Sequence, residues 1–154
     1  MARVALKAGL IASVVSGAPS TVWTLLEGGD VAEGGRALGK VLLPREERTW
    51  VLLAAGAPVH GALSLGWAYV LAAVLPERGE VVAGAVGGLG IAALDLAVLG
   101  RFFPPIAALP QGRQWADHVA FGLSVALVLR KSRHARDRDR GEGRAGRPAA
   151  AGRA

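Results

Sequence analysis

VVAGAVGGLGIAALDLAVL, residues 81–99, holds one ionisable side chain, Asp95, in an otherwise apolar run. A bilayer core about 30 Å thick takes about 20 helical residues to cross, and every backbone amide within it must find its partner inside the helix. The run fits that requirement, so it reads as a membrane span. Working outward, Val51 to Leu75, Val4 to Leu26 and Trp115 to Leu129 are apolar stretches of the same kind. The last is short, but Pro110 suits a first helical turn and extends it back to Gln111. The expectation is an all-α bundle of four transmembrane helices over residues 1–130, with spans near 4–26, 51–75, 81–99 and 111–129.

Composition agrees. Hydrophobic residues make up 52% of the 154, and a mean hydropathy of +0.38 excludes an ordinary soluble domain. Four spans leave no room for a second domain. With no cysteine, disulfides, thiolate metal sites and cysteine nucleophiles are excluded. The start, MARVALKAGLIASVVSGAPS, has the basic and apolar regions of a signal peptide. Pro19 directly after a cut at Ala18 would hinder cleavage, and the apolar run continues to Leu26, so an uncleaved first helix is expected.

Orientation follows from where Lys and Arg fall, because basic residues near span ends stay cytoplasmic. From Arg130 onward nine basic residues face three acids, which accounts for the whole formal charge of +6. An even number of spans puts both termini on one side, so Arg3 and Lys7 agree with the tail. Arg36, Lys40, Arg45 and Arg48 oppose it, but Glu27, Asp30, Glu33, Glu46 and Glu47 share their loop. Both termini are expected in the cytoplasm, with the protein in the cell (inner) membrane. The tail, residues 131–154, ends in RGEGRAGRPAAAGRA and has nothing to bury, so it is expected to be disordered. It reads as a solvated topology anchor, with no specific nucleic-acid partner.

Connectors and aromatics complete the layout. Val31, Leu38, Val41 and Leu42 fall near helical spacing, which suggests an interfacial helix along the outer surface, with adjacent glycines against it. RFFPPIAALP, from Arg101 to Pro110, cannot be one helix through Pro104 and Pro105 and should be a bent connector. Trp23, Trp50, Phe102, Phe103 and Trp115 fall at the outer boundary, while Trp67 and Tyr69 lie nearer the inner side.

Polar groups inside the spans point to chemistry, because they are expensive in hydrocarbon and turn toward a partner or a cavity. Ser13, Ser16, Gly17, Ser20 and Thr24 share one face of the first helix, which Pro19 should kink. Gly56, His60, Ser64 and Trp67 share a face of the second, where Pro58 should add another kink. Gly84, Gly88 and Asp95 align on the third; a stripe of small residues marks the side that meets other helices, so Asp95 should point inward. The same small-residue faces would permit a homodimer. Asp117 and His118 stand near the outer start of the fourth. Ser16, Ser20, His60, Asp95, Asp117 and His118 therefore converge on the outer half of the membrane, and the inner half is almost bare of polar groups.

The segments SGAPST (Ser16–Thr21), AGAPVH (Ala55–His60) and ALPQGRQWADHVAFG (Ala108–Gly122) resemble small, uncharacterised four-span membrane proteins of high-GC bacteria, particularly actinobacteria. The resemblance implies membrane location and span count over residues 1 to about 130, and carries no catalytic residue.

Three readings of the convergence stand. In the first and favoured one, His60 or His118 pairs with Asp95 or Asp117 to hold helices together. In the second, the six residues bind or pass a proton, cation or small polar ligand from outside. The third, an enzyme or a metal or haem site, lacks a compact ligand motif, matched histidine depths and a nucleophile turn, so no catalytic residue, metal or cofactor is assigned. A cluster packed without a cavity would speak for the first reading, an outward-open pocket for the second.

Overall fold

The computed structural model describes residues 2–145. Among them every regular element is helical: α1 (Ala2–Val15), α2 (Ala18–Leu26), α3 (Glu33–Gly39), α4 (Thr49–Val74), α5 (Glu80–Ala92), α6 (Pro104–Ala107) and α7 (Gln111–Ala145), with a π turn at Ala93–Val98 and a 3-10 turn at Leu99–Phe102 between α5 and α6. Three stretches are long and apolar enough to cross a membrane: Ala2–Leu26, Thr49–Val74 and Glu80–Phe102. The fourth expected span is the first part of α7, whose opening turns hold Gln111, Arg113, Gln114, Asp117 and His118 and which falls short of that apolarity.

The first span is broken rather than merely kinked. α1 ends at Val15 and α2 starts at Ala18, with Pro19 in its first turn, where a missing N–H costs nothing. Pro58, by contrast, sits inside an uninterrupted α4.

α7 is the hub, packing against α5, α1, α2 and α4, while α1 also lies along α4. Between α4 and α5 there is little direct contact. The small-residue stripe of α5 is used within the chain. A Cβ on Gly84 would lie 2.6 Å from both the Gly122 carbonyl oxygen and the Ala126 Cβ, so the two backbones approach as only glycine allows. A second small stripe, Ala5, Ala8, Gly9 and Ala12, seats α1. Below these seams Leu71, Leu75, Ile91, Phe121, Val125 and Leu129 close an apolar core. Large apolar side chains such as Leu10, Val14, Leu26, Val82 and Val86 point outward, the inverse of a soluble protein.

One expectation is met in part and one needs correction. The loop over Val31–Pro44 forms a helix at Glu33–Gly39, shorter than its apolar spacing suggests, and α3 packs on α4. Its glycines, which count against a helix, permit this: Gly35 and Gly39 face Leu53, Leu52 and Gly56 at distances a side chain would forbid. The tail expected to be disordered from residue 131 continues α7 to Ala145, while residues 146–154 lie outside the described residues. Extending a helix already nucleated costs little in an Arg-rich segment. Arg133 also fastens it, donating to the buried Glu80 carboxylate at 2.8 Å and to the Pro76 carbonyl at 3.0 Å.

Candidate functional site

The break between α1 and α2 creates the site's first demand. A helix end leaves carbonyls without donors on one side of a break and amides without acceptors on the other, and hydrocarbon supplies neither. Two neighbouring helices supply both. From α4, His60 Nε2 lies 2.9 Å from the Ser13 carbonyl oxygen in the last turn of α1 and, facing an acceptor, donates to it. From α7, Asp117 Oδ1 accepts the Ser20 backbone N–H in the first turn of α2 at 2.8 Å. Gly17, the residue preceding α2, offers no side-chain cap of its own, so Asp117 caps the helix from another element. Arg113 secures the far end of α2, donating to Thr24 Oγ1 at 2.8 Å and pairing with Glu27.

Asp95 sits in the π turn, a helical irregularity frequent at functional positions. Its Oδ2 accepts the Trp67 indole N–H at 3.0 Å across the gap between α4 and α5. Trp67 thus joins the site through this bond. His118 Nε2 stands 3.6 Å from the same oxygen, while its Nδ1 lies 2.7 Å from the Gln114 carbonyl. A carbonyl only accepts, so Nδ1 carries a proton. Nε2 then faces the Asp95 carboxyl at ion-pair distance. Asp95 Oδ1 is buried without a partner among the described residues.

These groups do not fill their space. A cavity of about 620 Å³ opens among α2, α3, α4, the π turn and the start of α7, and all six expected residues, Ser16, Ser20, His60, Asp95, Asp117 and His118, line it. Its remaining wall is largely apolar, including Leu53, Leu63, Ile91, Leu96, Phe103 and Phe121. α3 and α6, which touch each other, line it at the end of the bundle away from Glu80. The structure therefore gathers the expected residues in one place and sets one expected pair, His118 and Asp95, side by side. Only His118 meets an aspartate at ion-pair distance; His60 and Asp117 serve the backbone of the first span. Sequence reasoning missed Arg113, Gln114 and the Asp95–Trp67 bond, since neither the break in the first span nor the gap between α4 and α5 is written in residue periodicity. The shared face of His60, Ser64 and Trp67 was the available signal.

Among the described residues no three His, Cys, Asp or Glu side chains gather as a metal-ligand set. The loop leading to α4 carries its own charge pairs. Asp30 is held below its ordinary value by the Ala32 amide and by Arg36, 2.6 Å away. Glu46 is pulled down to about 2 by hydrogen bonds from the Arg48 side chain and from backbone amides, and it raises Arg48 in return. No family model, curated protein or solved structure matches this chain.

Proposed function

We propose that this is a four-span protein of the cell membrane, with cytoplasmic termini, whose outer half holds a water-accessible chamber that binds or passes a small ligand. It acts by binding and not by catalysis. One observation carries the reading: the six polar residues from all four spans line a single cavity of about 620 Å³, where helix glue alone would close on itself. That volume is within the range of about 300–1,000 Å³ common to small-molecule sites. Part of the cluster also serves as structure, because His60 and Asp117 cap the broken first span. Those two caps favour the alternative, in which the cluster only joins helices.

The absence of cysteine makes the test direct. Single Ser20→Cys, Leu63→Cys, Val86→Cys and Ser132→Cys variants in sealed cells are exposed to a membrane-impermeant thiol reagent. Ser20→Cys and Leu63→Cys are expected to react from outside. Val86→Cys, on the apolar exterior, is expected to stay unlabelled, and Ser132→Cys to react only after the membrane is opened. Unreactive Ser20→Cys and Leu63→Cys would leave the chamber dry and the helix-joining role in its place.

A further inference from the structure

The charges around the chamber are unequal once their partners are removed. Asp30 is paired with Arg36, Arg113 with Glu27, and Asp95 stands at ion-pair distance from His118. Asp117 has no such partner. It holds the Ser20 amide, a dipole and not a countercharge, and feels His118 and His60, of which the first already serves Asp95. His60 spends one ring nitrogen on a carbonyl. Apart from Glu33, which lines the chamber from the exposed side of α3, these contacts leave the Asp117 carboxylate without a side-chain countercharge in a cavity within the apolar part of the protein, and such a group calls for a cation.

The walls say which kind. A hydrated inorganic ion needs several oxygen ligands, and no three acidic or imidazole groups gather here. Apolar and aromatic side chains dominate instead, with Trp67 and Phe121 beside the acids. Ring faces attract cations that carry little hydration, and organic ammonium groups fit that description. Asp95, whose carboxyl group holds the Trp67 bond, lines the same chamber and is a second acceptor there.

Building on the reading of the chamber as a ligand site, we propose that its ligand is a lipophilic organic ammonium, its nitrogen set between Asp117 and Asp95 and its apolar body against Trp67, Leu63, Ile91 and Phe121. Asp117 supplies the charge. Asp95 positions the nitrogen through a carboxyl group whose orientation the Trp67 bond fixes.

Three probes with one carbon skeleton isolate the charge: phenylpropylamine, phenylpropanol and phenylpropionate, titrated calorimetrically into the full chain in lipid nanodiscs near neutral pH. The amine is expected to bind at least about tenfold more tightly than the alcohol, the worth of one charge-assisted hydrogen bond, and the carboxylate not at all. Asp117→Asn keeps an oxygen for the Ser20 amide while removing the charge, so the helix cap survives. It and Asp95→Asn are each expected to weaken the amine by about tenfold or more and leave the alcohol unchanged. Glu77→Gln, in the turn at the other end of α4, is expected to bind like wild type. The inference is overturned if the alcohol or carboxylate binds as well as the amine, if Asp117→Asn retains wild-type affinity, or if sodium chloride displaces the amine where choline chloride does not. If the amine fails to bind while Ser20→Cys and Leu63→Cys react from outside, this inference falls and the chamber stands; if both experiments fail, both readings fall.

Discussion

The α5–α7 seam and the chamber between α4 and the π turn lie in one bundle and draw on the same small and apolar residues, yet one excludes everything and the other encloses about 620 Å³. At the seam, Gly84, Gly88 and Gly122 bring two backbones together until a single methyl group would collide. In lipid no hydrophobic effect drives one helix against another, so close contact of this kind is what holds them. At the chamber α4 and α5 barely touch, and polar side chains bridge what apolar packing leaves open: Trp67 to Asp95, His60 to Ser13, Asp117 to Ser20. Where backbones meet, the bundle is fixed by shape. Where they part, a few directional bonds hold it and space remains for a guest.

The comparison is broken most forcefully at the seam. Gly122→Leu places a branched side chain where the Gly84 carbonyl already lies, so the helices must separate. Over-packing a tight site costs about 1–3 kcal/mol, and a backbone collision belongs at or above the top of that range. The expected result is loss of monodisperse protein in detergent and a melting temperature lowered beyond that of any chamber variant. An unchanged melting temperature would show that the seam is not what holds α5 to α7.

At the chamber the effect is smaller and divides by chemistry. Asp117→Ala removes the acceptor that caps α2 and should cost about 1 kcal/mol, the usual worth of a helix cap, read as a modest fall in thermal stability. Asp117→Asn keeps the acceptor and should melt near wild type. Equal losses in the two variants would mean that charge, and not the cap, is what the fold needs from this residue.

The smallest effect lies outside the bundle, on the loop leading to α4. Glu46 is depressed to about 2 from an ordinary 4.5, so whatever its bonds to Arg48 contribute is present above about pH 4.5 and is lost as the pH falls through about 2. A carboxyl-carbon resonance titration of Glu46 should find its midpoint near 2, and Arg48→Ala should return it toward 4.5. The pair lies on a surface loop with Arg48 largely exposed, so global stability should hardly change over that interval. A midpoint already near 4.5 in wild type would mean the loop is not held by this pair.

Much of this organisation was legible in the chain. Span lengths follow from the apolar runs, and Gly84, Gly88 and Asp95 fall on one face because helical periodicity puts them there. The convergence of Ser16, Ser20, His60, Asp95, Asp117 and His118 follows from the same periodicity plus the alternating direction of successive spans. Of the partners, only the His118–Asp95 pair was legible. Histidine against aspartate is the pairing charge suggests, yet His60 turns to a carbonyl and Asp117 to an amide, because Pro19 becomes the first turn of a new helix and leaves backbone groups needing partners. Gly35 and Gly39 also mislead when read by propensity, since their value lies in what α3 touches.

The helical class, the apolar runs, the charge of the tail and the faces that polar residues share are properties of neighbours along the chain and can be read there. It is packing that sets α4 and α5 apart, breaks the first span where two other helices can cap it, carries α7 on to Ala145 and lets the polar face enclose a cavity. The physical reason is that helix periodicity depends on residues three and four apart, whereas the separation of two helices depends on which side chains meet from distant parts of the chain.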